Sequence, residues 1–129
     1  MAREVKFFSR DLYSLRHRDH DGIASCDIDS VEICKNYPCY SPLAIIETVY
    51  DTGYNYNKMT YVVENIANGL NLPAFLVFYK KGLGQGLFLK IRQVAPFKSR
   101  LRDVPEAVWV RYLRKLQSEH QRICKHGKK

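Results

Sequence analysis

An α/β fold is predicted for this chain, with one small mixed β-sheet flanked by helices in the order α-β-β-α-β-β-α. Three observations predict it. Apolar residues recur at spacings of three and four near the start, in the middle and at the end of the chain, which is the helical period. Strand-sized apolar runs lie between those segments, at 43–46 and 74–79. A strand, a helix and a second strand in succession then imply a parallel pair joined by a crossover, and the hairpin before them adds antiparallel pairing. With 129 residues and 46% hydrophobic content, the chain is sized for one domain with a real core.

The first helix is expected over 3–18, where Val5, Phe8, Leu12 and Leu15 form one apolar stripe. Gly22 is its natural stop. Strands follow at 24–35 and 42–50. The segment between them holds Pro38 and Pro42, which excludes it from a sheet interior and makes it a turn. A polar loop over 51–57 leads to a helix at 58–70, with Val63, Ile66, Ala67 and Leu70 inward and Asn68-Gly69 or Asn71 near its end. The continuous apolar run at 74–79 is the signature of a strand buried on both faces. Glycines alternate at 82, 84 and 86, as in a phosphate cradle, but a strand at 87–94 follows rather than a helix. A hairpin turn is the better reading. A basic loop then reaches Asp103-Val104-Pro105, a helix-start signal. The last helix, 105–122, is expected to bury Trp109, Leu113, Leu116 and Ile123. The sequence holds no repeat, linker or low-complexity tract.

The net charge is +8 and the pI about 9.4. Such an excess favours an anionic partner, for which nucleic acid is the commonest choice; a basic surface that only confers solubility is the plainer alternative. No apolar run approaches the roughly 20 residues of a membrane helix, so no membrane association is expected. The opening MAREVKFFSRD carries charges and no apolar h-region, unlike a secretion signal. A cytoplasmic protein is therefore expected, with Cys26, Cys34, Cys39 and Cys124 as reduced thiols or metal ligands rather than disulfides.

Acidic residues interrupt the two strands of the hairpin. Asp27, Asp29 and Glu32 lie in the first, and Glu47 closes the apolar run of the second. A carboxylate at the end of a buried strand is costly unless a positive group compensates it. Asp29 and Glu47, from adjacent strands, are placed to meet at one edge and hold Mg²⁺ (or Mn²⁺), a hard cation that takes oxygen ligands and keeps waters. Asp27, two residues from Asp29 and on the same side of a strand, either supports the ligating acid from behind or is itself the true ligand. Glu32, of opposite parity, reads as a surface residue. The alternative is that Asp27 and Asp29 belong to a turn and Glu47 pairs with an arginine.

Asp29, the strand LAIIE ending in Glu47, a helix and then the apolar strand PAFLVFY together resemble the PD-(D/E)XK nuclease superfamily. That group includes restriction endonucleases and archaeal Holliday junction resolvases. The resemblance covers about residues 3–95. It implies a restriction-endonuclease-like fold and Mg²⁺-dependent hydrolysis of phosphodiester bonds in DNA, with Asp29 and Glu47 as metal ligands and Glu4 as the match to a helix glutamate of some members. It is also compatible with a homodimer addressing two strands. Two positions depart from the pattern. Ile28 precedes Asp29 where proline is usual, and Val49 occupies the place of the motif's lysine. That lysine orients the attacking water and offsets developing charge. Lys58, at the start of the following helix, is the substitute, as in relatives that supply it from there. A nuclease fold without catalysis, acting as a binding module, is the rival reading.

Three further groups are candidates. Cys34 and Cys39, in the turn between the acid-bearing strands, could form a Zn²⁺ clip with Cys124 and His126 of the tail; this is the basis of a second rival, a zinc-stabilised interaction protein. His17 and His20 close the first helix, where imidazoles commonly interact with the helix dipole. Lys80, Lys81, Arg92, Lys98, Arg100 and Arg102 make the second half basic and are candidates for phosphate contacts. Tyr50, Tyr54, Tyr56 and Tyr61 cluster after Glu47, either to stack on bases or to cover the sheet edge.

Overall fold

The computed structural model describes residues 28–82, 84 and 86–124. They form one five-stranded mixed sheet in the order β1-β2-β3-β4-β5, with a helix on each face. The elements are β1 (Ser30–Ile33), β2 (Pro42–Tyr50), α1 (Tyr61–Leu70), β3 (Ala74–Lys81), β4 (Leu87–Ala95), β5 (Arg102–Pro105) and α2 (Glu106–Gln121). β1 and β2 are antiparallel, β2 and β3 parallel, and β4 lies antiparallel to both β3 and β5. The expected mixed α/β architecture, with its central parallel pair, is present. The helix expected over 3–18, with Glu4, His17 and His20, lies outside the described residues, as do Cys26, Asp27 and His126.

The apolar run of β3 makes it the middle of the molecule: residues 74–78 are all buried. Alternation divides its side chains between two cores. On one face Leu76 and Phe78 join Ile45, Val94 and the inward stripe of α1, Val63 and Ala67. On the other, Phe75 and Val77 join Ile46, Leu89 and Ile91 beneath Trp109, Tyr112 and Leu113 of α2. Trp109 stacks on Tyr112, and both meet Phe75 edge-on, at 5.2 and 5.4 Å between ring centroids.

Several boundaries differ from expectation. β1 begins at Ser30, so Asp29 immediately precedes the strand. α1 starts at Tyr61 rather than 58, which leaves Lys58 in the loop before it. Leu70 is 55% exposed rather than inward, because Asn71 adopts a left-handed conformation (φ 62°) and ends the helix there. The basic loop expected before the last helix contains β5, whose Val104 pairs with Leu89. Pro105 consequently ends a strand and caps α2. α2 buries no residue fully, and Ile123 is 75% exposed; the aromatic group near the helix start does the covering. Gly82 N donates to Gly86 O at 2.9 Å, closing the β3–β4 hairpin turn. Among the described residues no helix is long and apolar enough to cross a membrane.

Candidate functional site

Cross-strand register determines what shares a face with Glu47. It is paired with Leu76 of β3, which is paired with Arg92 of β4. Paired residues point the same way, so acid, leucine and arginine form a row across the α1 face. Asp29 continues the row on the other side, one step beyond the Ser30–Ile46 pair. Its backbone N–H donates to Glu47 Oε1 at 3.2 Å. The Asp29 carboxylate in turn accepts from Thr48 N at 2.9 Å and from Thr48 Oγ1 at 3.4 Å. The chain between β2 and α1 folds back so that Lys58 Nζ lies 3.2 Å from Glu47 Oε2. Asp29, Glu47 and Lys58 are thus brought together, and Glu47 pairs with a lysine instead of an arginine.

Burial differs sharply within this group. Glu47 is 6% exposed, whereas Asp29 is exposed and the Lys58 side chain is 39% exposed. Burying a carboxylate is costly unless it is compensated, and Lys58 and the Asp29 amide supply that compensation. Val49, at the position of the family's lysine, packs against the α1-side core. It points the same way as Glu47 but under the helix, where an ammonium group would be desolvated. Lys58 also lines a cleft of about 300 Å³ with Asn57, Thr60, Tyr61, Arg92 and Lys98. Arg92 Nε is buried without a hydrogen-bond partner. Lys98 lies 3.6 Å from Glu64 and over the Tyr61 ring.

The other basic candidates do not converge here. Lys80 lines a larger cleft of about 650 Å³ with Asp51, Phe88 and Lys90. There Lys90 is held 2.7 Å from Asp103, which raises its pKa. Lys81 and Arg100 are exposed. Arg102 is paired with Ile91 and therefore faces the α2 side, lining a groove with Trp109 and Tyr112.

Asp51, which the sequence marked only as part of a loop, is 4% exposed. It accepts from Tyr56 Oη and from Gly53 N, each at 2.8 Å. The Tyr56 hydroxyl, above all, holds the Asp51 carboxyl below its usual pKa, and the same bond raises that of Tyr56. Gly53 has φ +90°, a conformation that favours glycine and lets its amide turn back to Asp51. This knot shapes the loop that delivers Lys58.

A second cluster lies at the other end of the β1–β2 hairpin. Cys34 follows β1, Cys39 lies in the turn, His120 lies in the last turn of α2, and Cys124 lies three residues beyond its end. One ligand atom from each of the four lies within 4.8 Å of every other, close enough for a metal ion. Cys34, Cys39 and Cys124, the cysteines expected from the sequence, are brought together, and the histidine beside them is His120; His126 lies outside the described residues. Helical spacing of four places His120 and Cys124 on one side of the chain; that signal was available and was outweighed by the nearer His126. Burial raises the Cys34 thiol pKa. Hydrogen bonding from the Ser41 side chain, together with its backbone, lowers that of Cys39 to about 7.

Comparison with known protein families, characterised proteins and solved structures finds no match to the chain.

Proposed function

We propose that this chain is a metal-dependent nuclease of restriction-endonuclease-like type that hydrolyses phosphodiester bonds in DNA. The observation that carries the proposal is the buried Glu47 carboxylate, contacted by the Asp29 amide and by Lys58. An acid just before β1, an acid in β2 and an amine from the next loop supply the residue types that the PD-(D/E)XK resemblance implies. Asp29 and Glu47 fit Mg²⁺ (or Mn²⁺), because a carboxylate offers about four acceptor sites and the hydrogen bonds described leave some free. When bound, the ion would activate water and neutralise charge on a phosphoryl oxygen.

The chain's own groups supply the rest. Lys58 neutralises Glu47 and is the one cation adjoining the acid pair among the described residues, so it takes the role of the missing lysine at position 49. Arg92, in the same row and lining the same cleft, offers its guanidinium to a phosphate entering there. Thr48 orients the Asp29 carboxylate through two hydrogen bonds.

The test is incubation of the full chain with branched, linear and single-stranded DNA in Mg²⁺ or Mn²⁺. Cleavage that is abolished by chelation, by Asp29→Ala and by Glu47→Ala supports the hydrolase. Salt-sensitive binding with no cleavage in either metal refutes it and leaves the silent binding module, the reading favoured by Val49.

A further inference from the structure

We propose that Cys34, Cys39, His120 and Cys124 form a structural Zn²⁺ site that fastens the end of α2 to the β1–β2 hairpin. This inference is independent of the hydrolase reading, since it involves none of Asp29, Glu47 or Lys58.

Geometry carries it. In tetrahedral zinc sites Zn–S is about 2.3 Å and Zn–N about 2.0–2.1 Å. The corresponding edges are about 3.8 Å between two sulfurs and about 3.5 Å between sulfur and nitrogen. Cys34 Sγ and Cys124 Sγ are 3.8 Å apart, and Cys39 Sγ lies 3.4 Å from His120 Nε2. Two opposite edges of the tetrahedron therefore already have the required lengths. A disulfide, by contrast, needs its sulfurs about 2.05 Å apart, and none of the three described cysteines forms one.

The surroundings are those of a closed structural site. Cys34 and Cys124 are 0% and 2% exposed, and four protein ligands leave no position for substrate. Polar side chains approach the sulfurs: Asn36 Nδ2 lies 3.7 Å from Cys124 Sγ, Gln121 Nε2 3.8 Å from Cys34 Sγ, and the Ser41 hydroxyl 3.3 Å from Cys39 Sγ. Donors of this kind offset thiolate charge and orient ligands around a metal. Backbone bonds shape the turn to match, with Cys34 N donating to Ser41 O and Cys39 N to Asn36 O.

The same helix face is tied to the hairpin by other contacts. Gln117 Nε2 donates to Ile33 O, its Oε1 accepts from Lys35 N, and Asn36 Nδ2 donates to Gln121 Oε1. α2 buries no residue fully, so this end of the helix lacks the apolar cover that the aromatic trio gives its start. A metal site fits that need, because its binding free energy is then part of the folding free energy.

The decisive measurements are metal content and Co²⁺ spectroscopy on the full chain, purified without chelator. The expected result is one equivalent of zinc. Replacement by Co²⁺ should give visible bands of tetrahedral type with thiolate charge transfer. Both signals should be lost in Cys34→Ser and His120→Ala and retained in Asp29→Ala. Cys39 is partly exposed, so Cys39→Ser provides a variant least at risk of misfolding; it should release zinc to a chromogenic chelator faster than the unaltered chain. Stripping the metal should lower Tm by about 10 °C, the scale of losing a ligand held at about a hundred times its Kd. Absence of zinc and of a Co²⁺ spectrum in the unaltered chain overturns the proposal. So does a Cys34–Cys124 disulfide in the purified protein, or zinc content unchanged in all three ligand variants.

Discussion

Replacing Lys58 by methionine keeps most of the side chain's bulk and removes the charge facing Glu47. The magnitude follows from the two exposures. Removing one partner of a fully buried ion pair costs about 3–5 kcal/mol, whereas an exposed pair contributes about 0–1 kcal/mol. Here the acid side chain is 9% exposed and the lysine 39%, so water can reach the place the ammonium leaves. A cost of about 1–2 kcal/mol follows from these limits, or a fall in Tm of about 4–8 °C for a chain of this size. Glu47→Gln is the informative companion, because an amide oxygen can still accept from the Asp29 N–H. The double variant should recover much of the loss, giving a coupling energy of about 1 kcal/mol. Urea denaturation followed through Trp109, the chain's one tryptophan, measures all four proteins. A Lys58→Met protein as stable as the unaltered chain, with strictly additive effects in the cycle, would refute the claim that Lys58 neutralises Glu47. Under the hydrolase reading the same substitution lowers kcat much more than it lowers DNA binding.

Tyr56→Phe should change the pH dependence of stability at both ends. The depressed Asp51 pKa contributes stability that is present above the ordinary carboxyl value of 3.8 and is lost as pH falls through the still lower folded pKa. The raised Tyr56 pKa contributes stability that is present below 10.0 and is lost as pH rises through the folded value. Thermal melts from pH 2 to pH 11 should therefore be flatter at both extremes in the variant; unchanged profiles would deny the pair its role. Leu76→Ala, at a site with no exposure between Glu47 and Arg92, should cost about 3 kcal/mol through lost burial and an unfilled cavity, measurable by urea denaturation. Under the hydrolase reading, Arg92→Ala should weaken DNA binding and reduce the slope of log K against log salt by about 1. An identical slope would remove Arg92 from the phosphate contacts.

Signals in the sequence differed in how far they depended on distant parts of the chain. The run at 74–79 is apolar throughout, so its place in the middle of the sheet was legible without knowing its neighbours. Glu47 was legible as a carboxylate ending such a run, and Lys58 as a cation at the expected distance downstream. β5 was not, because Arg102 and Asp103 are exposed and only Val104 provides an inward residue. Its strand character comes from pairing with β4, which is a tertiary effect. His120 had a local signal, its spacing of four from Cys124, but nothing local showed that this face of the helix is covered. It lies on a helix face whose polar residues, Gln117 and Gln121 among them, look solvated until the hairpin turn is placed against them. Asp51 gave no local sign of burial; Tyr56 and Gly53 enclose it only when the loop closes.

The β1–β2 hairpin has a carboxylate pair at one end and a thiol–imidazole cluster at the other, separated by the five residue steps from Asp29 to Cys34, about 17 Å of extended chain. β1 is a short outer strand whose four residues pair only with β2 among the described residues. An anchor at its far end would stop it sliding along its neighbour, and a slide of one residue would turn Asp29 away from Glu47. Oxidising agents that attack the sulfurs would then disturb the contact between Asp29 and Glu47 from a distance, without touching either one.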